Sequence, residues 1–191
     1  MVKTTTNEIL ASLRKGNRAA FRSKEIAALL GNKNYAKVAL HRLKVRGEIR
    51  MVKRGWWAFA DAMYAQIACE VSYPCYLSFC TALNMHGATT QIPRIIQVAV
   101  CRNASRYRVF DTQVQEYKVS KPQFVGFSRQ DGLLIASKEK AFADCLNIPR
   151  ASPKSVLIES ITNVDLDKVK LFLTKEGKKR LKGVEKYANQ K

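Results

Sequence analysis

A chain of 191 residues with 34 Lys and Arg against 15 Asp and Glu has a formal charge of +19, on a body that is 47% hydrophobic. That apolar content supports a packed core and excludes a disordered polyelectrolyte. No apolar run approaches the ~20 residues of a helical membrane span and the first residues lack a signal-peptide core, so the expectation is a cytoplasmic protein whose partner is a polyanion.

The charge is concentrated at the two ends. Residues 1–60 hold 14 basic and 3 acidic side chains, residues 61–173 hold 13 and 10, and residues 174–191 hold 7 and 2. A basic head on a nearly balanced body suggests that the head meets nucleic acid. Two domains are expected, residues 1–62 and residues 63–191, the second ending in the basic tail 174–191.

In chain order, Asn7 is placed to cap a first helix from Glu8 to Lys15. Ser23 is placed to cap a second, with Ile26, Ala27, Leu29 and Leu30 on its apolar face and Gly31 stopping it in a left-handed conformation. Asn34 is placed to cap a third, running to Arg46. On a wheel of ~100° per residue, Ala36, Ala39, Leu40 and Leu43 fall on one side of that helix and Asn34, Lys37, His41 and Lys44 on the other, flanked by Val38 and Arg42. Residues 49–52 and 56–59 read as strands around Lys53, Arg54 and Gly55. Helix, turn, basic helix and hairpin make a winged helix-turn-helix, which lays its second helix in the major groove and its wing against the backbone. The expected DNA-binding residues are Ser23, Lys33, Asn34, Lys37, His41, Arg42, Lys44, Lys53 and Arg54. Arg42 and Asn34 suit base edges, and the lysines suit phosphates. Trp56 and Trp57 are consecutive, so in a strand one faces the core and the other does not.

Beyond Ala60 the pattern is mixed. A linking helix is expected over 61–70 and an apolar helix over 76–86, followed by strands at 94–101, 107–110, 114–120, 124–127 and 133–136. Ser137 is placed to cap a helix across 138–147, and three short helices follow at 154–163, 165–174 and 176–189. The five cysteines, mostly in apolar segments, read as buried thiols.

Enzymatic chemistry finds little support. The nucleophile elbow, the phosphate-binding glycine loop, the dinucleotide fingerprint and the zinc-protease helix are all missing. Glu139 and Asp144 lie ~140° apart on one helix, poor geometry for a shared metal or an acid–base pair. Cys69, Cys75, Cys80 and His86 lack zinc-ligand spacing. His86, just before Gly87, reads as a helix-end histidine bonding a carbonyl. The expectation is therefore no catalytic residue, no metal and no cofactor.

Three stretches carry a family likeness. They are Tyr76-Leu77-Ser78 with Ala82-Leu83-Asn84-Met85-His86-Gly87, then Gln91 to Val98, and then Ile135-Ala136-Ser137-Lys138-Glu139-Lys140-Ala141-Phe142-Ala143-Asp144. Together with the winged helix they resemble the AbiEi family, the antitoxin partners of bacterial and archaeal type IV toxin–antitoxin systems, over residues 7–150. The resemblance implies a repressor that binds inverted repeats at its own promoter and opposes a nucleotidyltransferase-like toxin encoded next to it, often without a stable complex. It also makes Ser78, His86, Arg94, Glu139, Lys140 and Asp144 signature positions.

The reading is an α+β protein: a winged helix-turn-helix, then a mixed α/β domain with a small sheet and C-terminal helices. Its expected function is sequence-specific binding of double-stranded DNA as an autoregulatory repressor. The alternatives are a mobile-element or archaeal regulator whose middle domain binds a ligand or protein, and a nucleic-acid enzyme delivered by the winged helix.

Overall fold

The computed structural model describes residues 5–188. Among the described residues there are nine α-helices and two sheets, of three and six strands, and the fold is α+β. Contacts divide the chain into two compact units, Met1–Val71 with Tyr107–Gln113, and Ser72–Arg106 with Val114–Lys191.

The first unit runs α1 (Thr6–Lys15), β1 (Ala20–Arg22), α2 (Ser23–Leu30), α3 (Lys33–Val45), β2 (Ile49–Lys53) and β3 (Trp56–Phe59), then α4 (Tyr64–Ser72). Strand β3 lies between β1 and β2 and is antiparallel to both, with Phe21 opposite Trp57 and Ile49 opposite Phe59. This is the winged helix-turn-helix arrangement. Its core joins Ile9 and Leu10 of α1, Ile26 of α2 and Leu40 and Leu43 of α3 to Phe21, Ile49, Trp57 and Phe59 of the sheet. Each such side chain contributes about 1.5–3 kcal/mol on burial. Glu70 of α4 ties down the start of β1, accepting from Ala19 N and Ala20 N at 2.8 and 2.9 Å and from Arg18 Nε at 3.1 Å.

The helix starts differ from the expected ones, and capping geometry explains why. Thr5, not Asn7, caps α1 in a reciprocal box with Glu8. Helix α2 begins at Ser23 because Glu25 reaches back to accept from Arg22 N at 2.6 Å, so Ser23 is not its cap. Helix α3 is capped by Asn32, not Asn34. Gly31 is left-handed at φ +64°, the next residue is extended, and Asn32 Oδ1 accepts from Tyr35 N at 2.9 Å. Asn34 is thereby left on the helix with its side chain exposed. Strand β1, three residues before a helix start, is too short to show a period of two.

The second unit contributes β4 (Cys75–Leu77), α5 (Phe79–Met85), β5 (Ile95–Val100), β8 (Phe127–Gln130), β9 (Leu133–Ala136) and α6 (Lys138–Asn147), then α7 (Lys154–Ser160), α8 (Leu166–Leu171) and α9 (Lys175–Ala188). With β6 (Arg106–Val109) and β7 (Thr112–Lys118) the sheet order is β6-β7-β5-β4-β9-β8. Strand β4 is antiparallel to β5 and parallel to β9, with Leu77 opposite Ile135. Helix α6 is buried along almost its whole length, residues 139–146 included.

Two expected elements are revised here. The apolar run 76–86 splits into β4 and α5, since a run buried on both faces reads alike as helix or strand and its sheet neighbours decide. The strand expected at 124–127 begins only at Phe127. Gly126 (φ +78°) breaks the chain, and a Cβ there would meet Phe172 at 2.8 Å. The last helix begins at Lys175; residue 189 of the expected 176–189 helix lies outside the described residues.

Helix α7 holds the loop after α5 through a single carboxylate. Glu159 accepts from Thr90 N at 2.6 Å, from Thr90 Oγ1 and Thr89 Oγ1 at 2.7 Å, and from Gln91 Nε2 at 3.3 Å. These donors, the Thr90 backbone N–H first, lower its pKa from the usual 4.5 to about 2. A carboxylate depressed by folding stabilises above its unfolded pKa and loses that contribution as pH falls through its folded one. The melting-temperature gap between parent and Glu159→Ala should therefore close as pH falls from 4.5 to about 2. A gap that stays constant across that window would show that the donors do not depend on the charge.

Candidate nucleic-acid interface

Helix α3 has a buried side, Ala36, Ala39, Leu40 and Leu43, and an opposite side open to solvent. On the open side Asn34, Val38, His41 and Val45 form the outermost stripe, at intervals of four, three and four residues. Lys33, Lys37 and Lys44 run along one flank of that stripe, and Tyr35, Arg42 and Arg46 along the other.

The first flank borders a groove of 1010 Å³ between α2, α3 and the wing. Lys24 of α2, Lys33, Asn34 and Lys37 of α3 and Arg54 of the wing line it, over a floor of Ala27, Leu40 and Trp57. Five of the nine residues expected on DNA, Ser23, Lys33, Asn34, Lys37 and Arg54, thus border one concavity. Lys24 is an addition to the expected residues. Its position follows from the approach of α2 to α3, which a wheel for α3 alone does not contain.

Ser23 serves the groove by fixing its floor. Its Oγ accepts from Trp57 Nε1 at 2.8 Å, and its N donates to Gly55 O at 3.0 Å, joining α2 to the wing turn. Ser23→Ala removes the acceptor of a largely buried indole N–H, a cost of about 1–3 kcal/mol. It should lower the midpoint of urea unfolding read by tryptophan fluorescence, and Trp57→Phe in the Ser23→Ala background should then cost little more in hydrogen bonding.

The other expected residues are distributed around this centre. His41 lies on the outward stripe. Arg42 borders a separate concavity with Tyr35, Ala39, Arg46 and residues 5–7, so it does not share the groove of Lys37. The two are five residues apart, ~140° around the helix. Lys44 is exposed near the end of α3. Lys53 is the last residue of β2 and its ammonium lies 4.4 Å over the Tyr107 ring, while exposed Arg54 occupies the turn with Gly55 at φ +79°. Trp57 is core; Trp56 is half-buried beneath the Arg22 guanidinium at 4.8 Å.

The signature positions lie in the second unit, and three of them meet. Lys140 Nζ is 2.6 Å from Asp144 Oδ1, one helical turn along α6, with the two side chains 0% and 1% exposed. Tyr76 OH and Ser78 Oγ donate to Asp144 Oδ2 at 3.0 and 2.8 Å. Ser78 follows β4, and its N–H donates to Gln97 O at 3.2 Å. Phe79 follows in a left-handed conformation (φ +57°) and turns the chain sharply into α5. Phe124 and Phe127 pack on the Tyr76 ring at 5.1 and 4.6 Å, and the Lys140 ammonium lies 5.7 Å from the Phe172 ring. Burial raises the Asp144 carboxyl, while Lys140 and the two hydroxyls pull it down. Burial, then the neighbouring Asp144, raises the Tyr76 hydroxyl well above its usual value. An ion pair closed to solvent and sealed by aromatic rings organises a core; it offers no surface to a substrate.

The remaining signature positions stand apart from this cluster. His86 closes α5 and its Nε2 lies 2.7 Å from Ala136 O, the helix-end histidine expected. Glu139 is buried in the first turn of α6, where Ser137 is the cap, and Arg94 is exposed. Cys75, Cys80 and Cys145 are buried, and Cys69 and Cys101 half-buried. Among the described residues no group of three His, Cys, Asp or Glu side chains could hold a metal ion. No helix of the described residues is long and apolar enough to cross a membrane.

No protein-family model and no curated protein sequence matches this chain. Among solved structures, the chain is similar in fold to the RV2827C protein from Mycobacterium tuberculosis, with a TM-score of 0.62 and 12% sequence identity over 93% of this chain and 75% of that one.

Proposed function

We propose that this protein binds double-stranded DNA in a sequence-specific manner through α3 and represses transcription. The observation that carries the reading is the convergence of Lys24, Lys33, Lys37 and Arg54 from α2, α3 and the wing on one groove beside an outward-facing helix stripe. Cations from three elements on one side of the stripe suit one phosphate backbone, and the stripe beside them suits base edges. Arg42 and Arg46, on the other flank, serve phosphates on the opposite wall, and Asn34 takes the base-reading role.

The AbiEi resemblance extends the proposal to an autoregulatory antitoxin that opposes a nucleotidyltransferase-like toxin. On this reading the protein acts by binding, in the cytoplasm where its DNA is. Its buried Lys140–Asp144 pair holds the second unit in shape, and the second unit's surface then carries any partner contact.

A gel-shift titration tests the first claim, with DNA from upstream of its own gene against a scrambled duplex at ~150 mM salt, where nonspecific attraction is screened. Selective retardation of the upstream DNA is expected; equal binding to both duplexes would sink the repressor reading. Co-expression with the adjacent reading frame tests the second claim. The antitoxin role requires rescue of growth arrested by that frame.

A further inference from the structure

We infer that α3 reads A·T base pairs in the major groove, with Asn34 on an adenine edge and Val38 on a thymine methyl one helical turn later. The inference rests on the DNA-binding reading above and names the sequence chemistry of that same surface. The outward stripe of α3 is half apolar: Val38 is 47% exposed and Val45 73%. Asn34, Val38, His41 and Val45 span only ~60° of the helix wheel, so both valines look where the helix looks.

Valine is a poor choice for a solvated helix face. It loses side-chain freedom in a helix relative to Lys, Glu or Ala, and its exposed methyls gain nothing in water. Its gain comes when the face is covered. The covering partner has to accept cations on both sides, Lys33, Lys37 and Lys44 on one flank and Arg42 and Arg46 on the other. A second copy of α3 would bring the same cations face to face and be repelled. A major groove offers two phosphate walls for those cations and, along its floor, the methyl groups of thymine.

The pairing of side chains selects the bases. An Asn amide fits the acceptor–donor edge of adenine, and an aliphatic side chain fits only the C5 methyl of thymine. Asn34 and Val38 are four residues, about 6 Å, apart along the helix, which matches about two base steps. Val45, about 10 Å further, provides a second methyl contact where the helix stays in the groove.

The test uses the full chain and duplexes that it selects from a random pool. In the tightest selected duplex each thymine is replaced singly by deoxyuridine, which removes the methyl and leaves every hydrogen-bonding group in place. At one or two positions the Kd should rise about fourfold, the factor that corresponds to one buried methylene-sized group. In Val38→Ala that loss should vanish at one position, and in Val45→Ala at any second one, as coupling between contacting groups requires. Both valines are exposed and alanine favours helix, so neither variant threatens the fold. A selected sequence insensitive to every deoxyuridine, or a loss unchanged in both variants, overturns the inference and leaves the repressor reading intact. A pool that returns no preferred sequence overturns both.

Discussion

Replacing Lys140 with Ala should unfold the second unit at much lower urea than in the parent, while the first unit keeps its transition. Lys140 is 0% exposed, and its ammonium is 2.6 Å from a carboxylate that also collects the Tyr76 and Ser78 hydroxyls. Removing one partner of a buried pair strands the other and costs about 3–5 kcal/mol. A domain is stable by only about 5–15 kcal/mol, so that loss moves the midpoint by about 2 M urea. Trp56 and Trp57, the two tryptophans of the chain, both lie in the first unit, so their fluorescence reports that unit alone. Amide exchange along α6 reports the second. Asp144→Ala should cost at least as much, because it also leaves two buried hydroxyls without an acceptor. Lys140→Met keeps the aliphatic stem and loses the charge that pulls the Asp144 carboxyl down. In that variant Asp144 holds a proton more readily than in the parent, so the deficit should shrink as pH is lowered from neutrality. A deficit of less than about 1 kcal/mol in both alanine variants would mean that the pair contributes no net stability.

How the signature stretch acts is hidden from the sequence for a geometric reason. A wheel shows Lys140 and Asp144 one turn apart on α6, but whether that face points to water or into the core depends on β4, β8 and the Phe172 ring. Tyr76 and Ser78 lie more than sixty residues away in the chain. The wheel does separate Glu139 from Asp144, and the structure keeps them apart: the partner of Asp144 is Lys140, at the i,i−4 position. The first unit is more legible because its determinants are local. The periodicity of residues 23–46 and the glycines at 31 and 55 place α2, α3 and the wing without reference to distant segments. The caps of α1 and α3 fall two residues earlier than expected because Asn32 and Asn34, or Thr5 and Asn7, are chemically equivalent choices until the backbone selects one. The shift changes what α3 presents: Asn34, released from capping, is a side chain offered to solvent. In the second unit the strands β4 and β9 are short and wholly apolar, and their parallel pairing is a long-range property that no window of residues contains.

Removing three cations from the groove should change the salt dependence of DNA binding more than an equal loss of charge on α9. With Lys33, Lys37 and Arg54 all replaced by Gln, the slope of log K against log salt should fall in magnitude by about 2.7, at about 0.9 for each phosphate no longer neutralised. Between 50 and 200 mM salt the parent would then lose about 40-fold more affinity than the variant. The control is the triple change of Lys178, Lys179 and Lys182 to Gln. These side chains are exposed on α9 in the second unit, whose underside is held by Leu181 and Val184 and by Arg180 donating to Leu146 O at 2.7 Å. Both variants lose three positive charges from a chain of +19, so their long-range fields weaken alike. Counterion release, however, counts phosphates neutralised at close range and not charge at a distance. A large fall in slope for the groove variant and less than about one for the α9 variant assigns the phosphate-binding surface to α3 and the wing. Equal falls would assign binding to a surface that includes the basic tail, and the groove would lose its claim to be the centre of the interface.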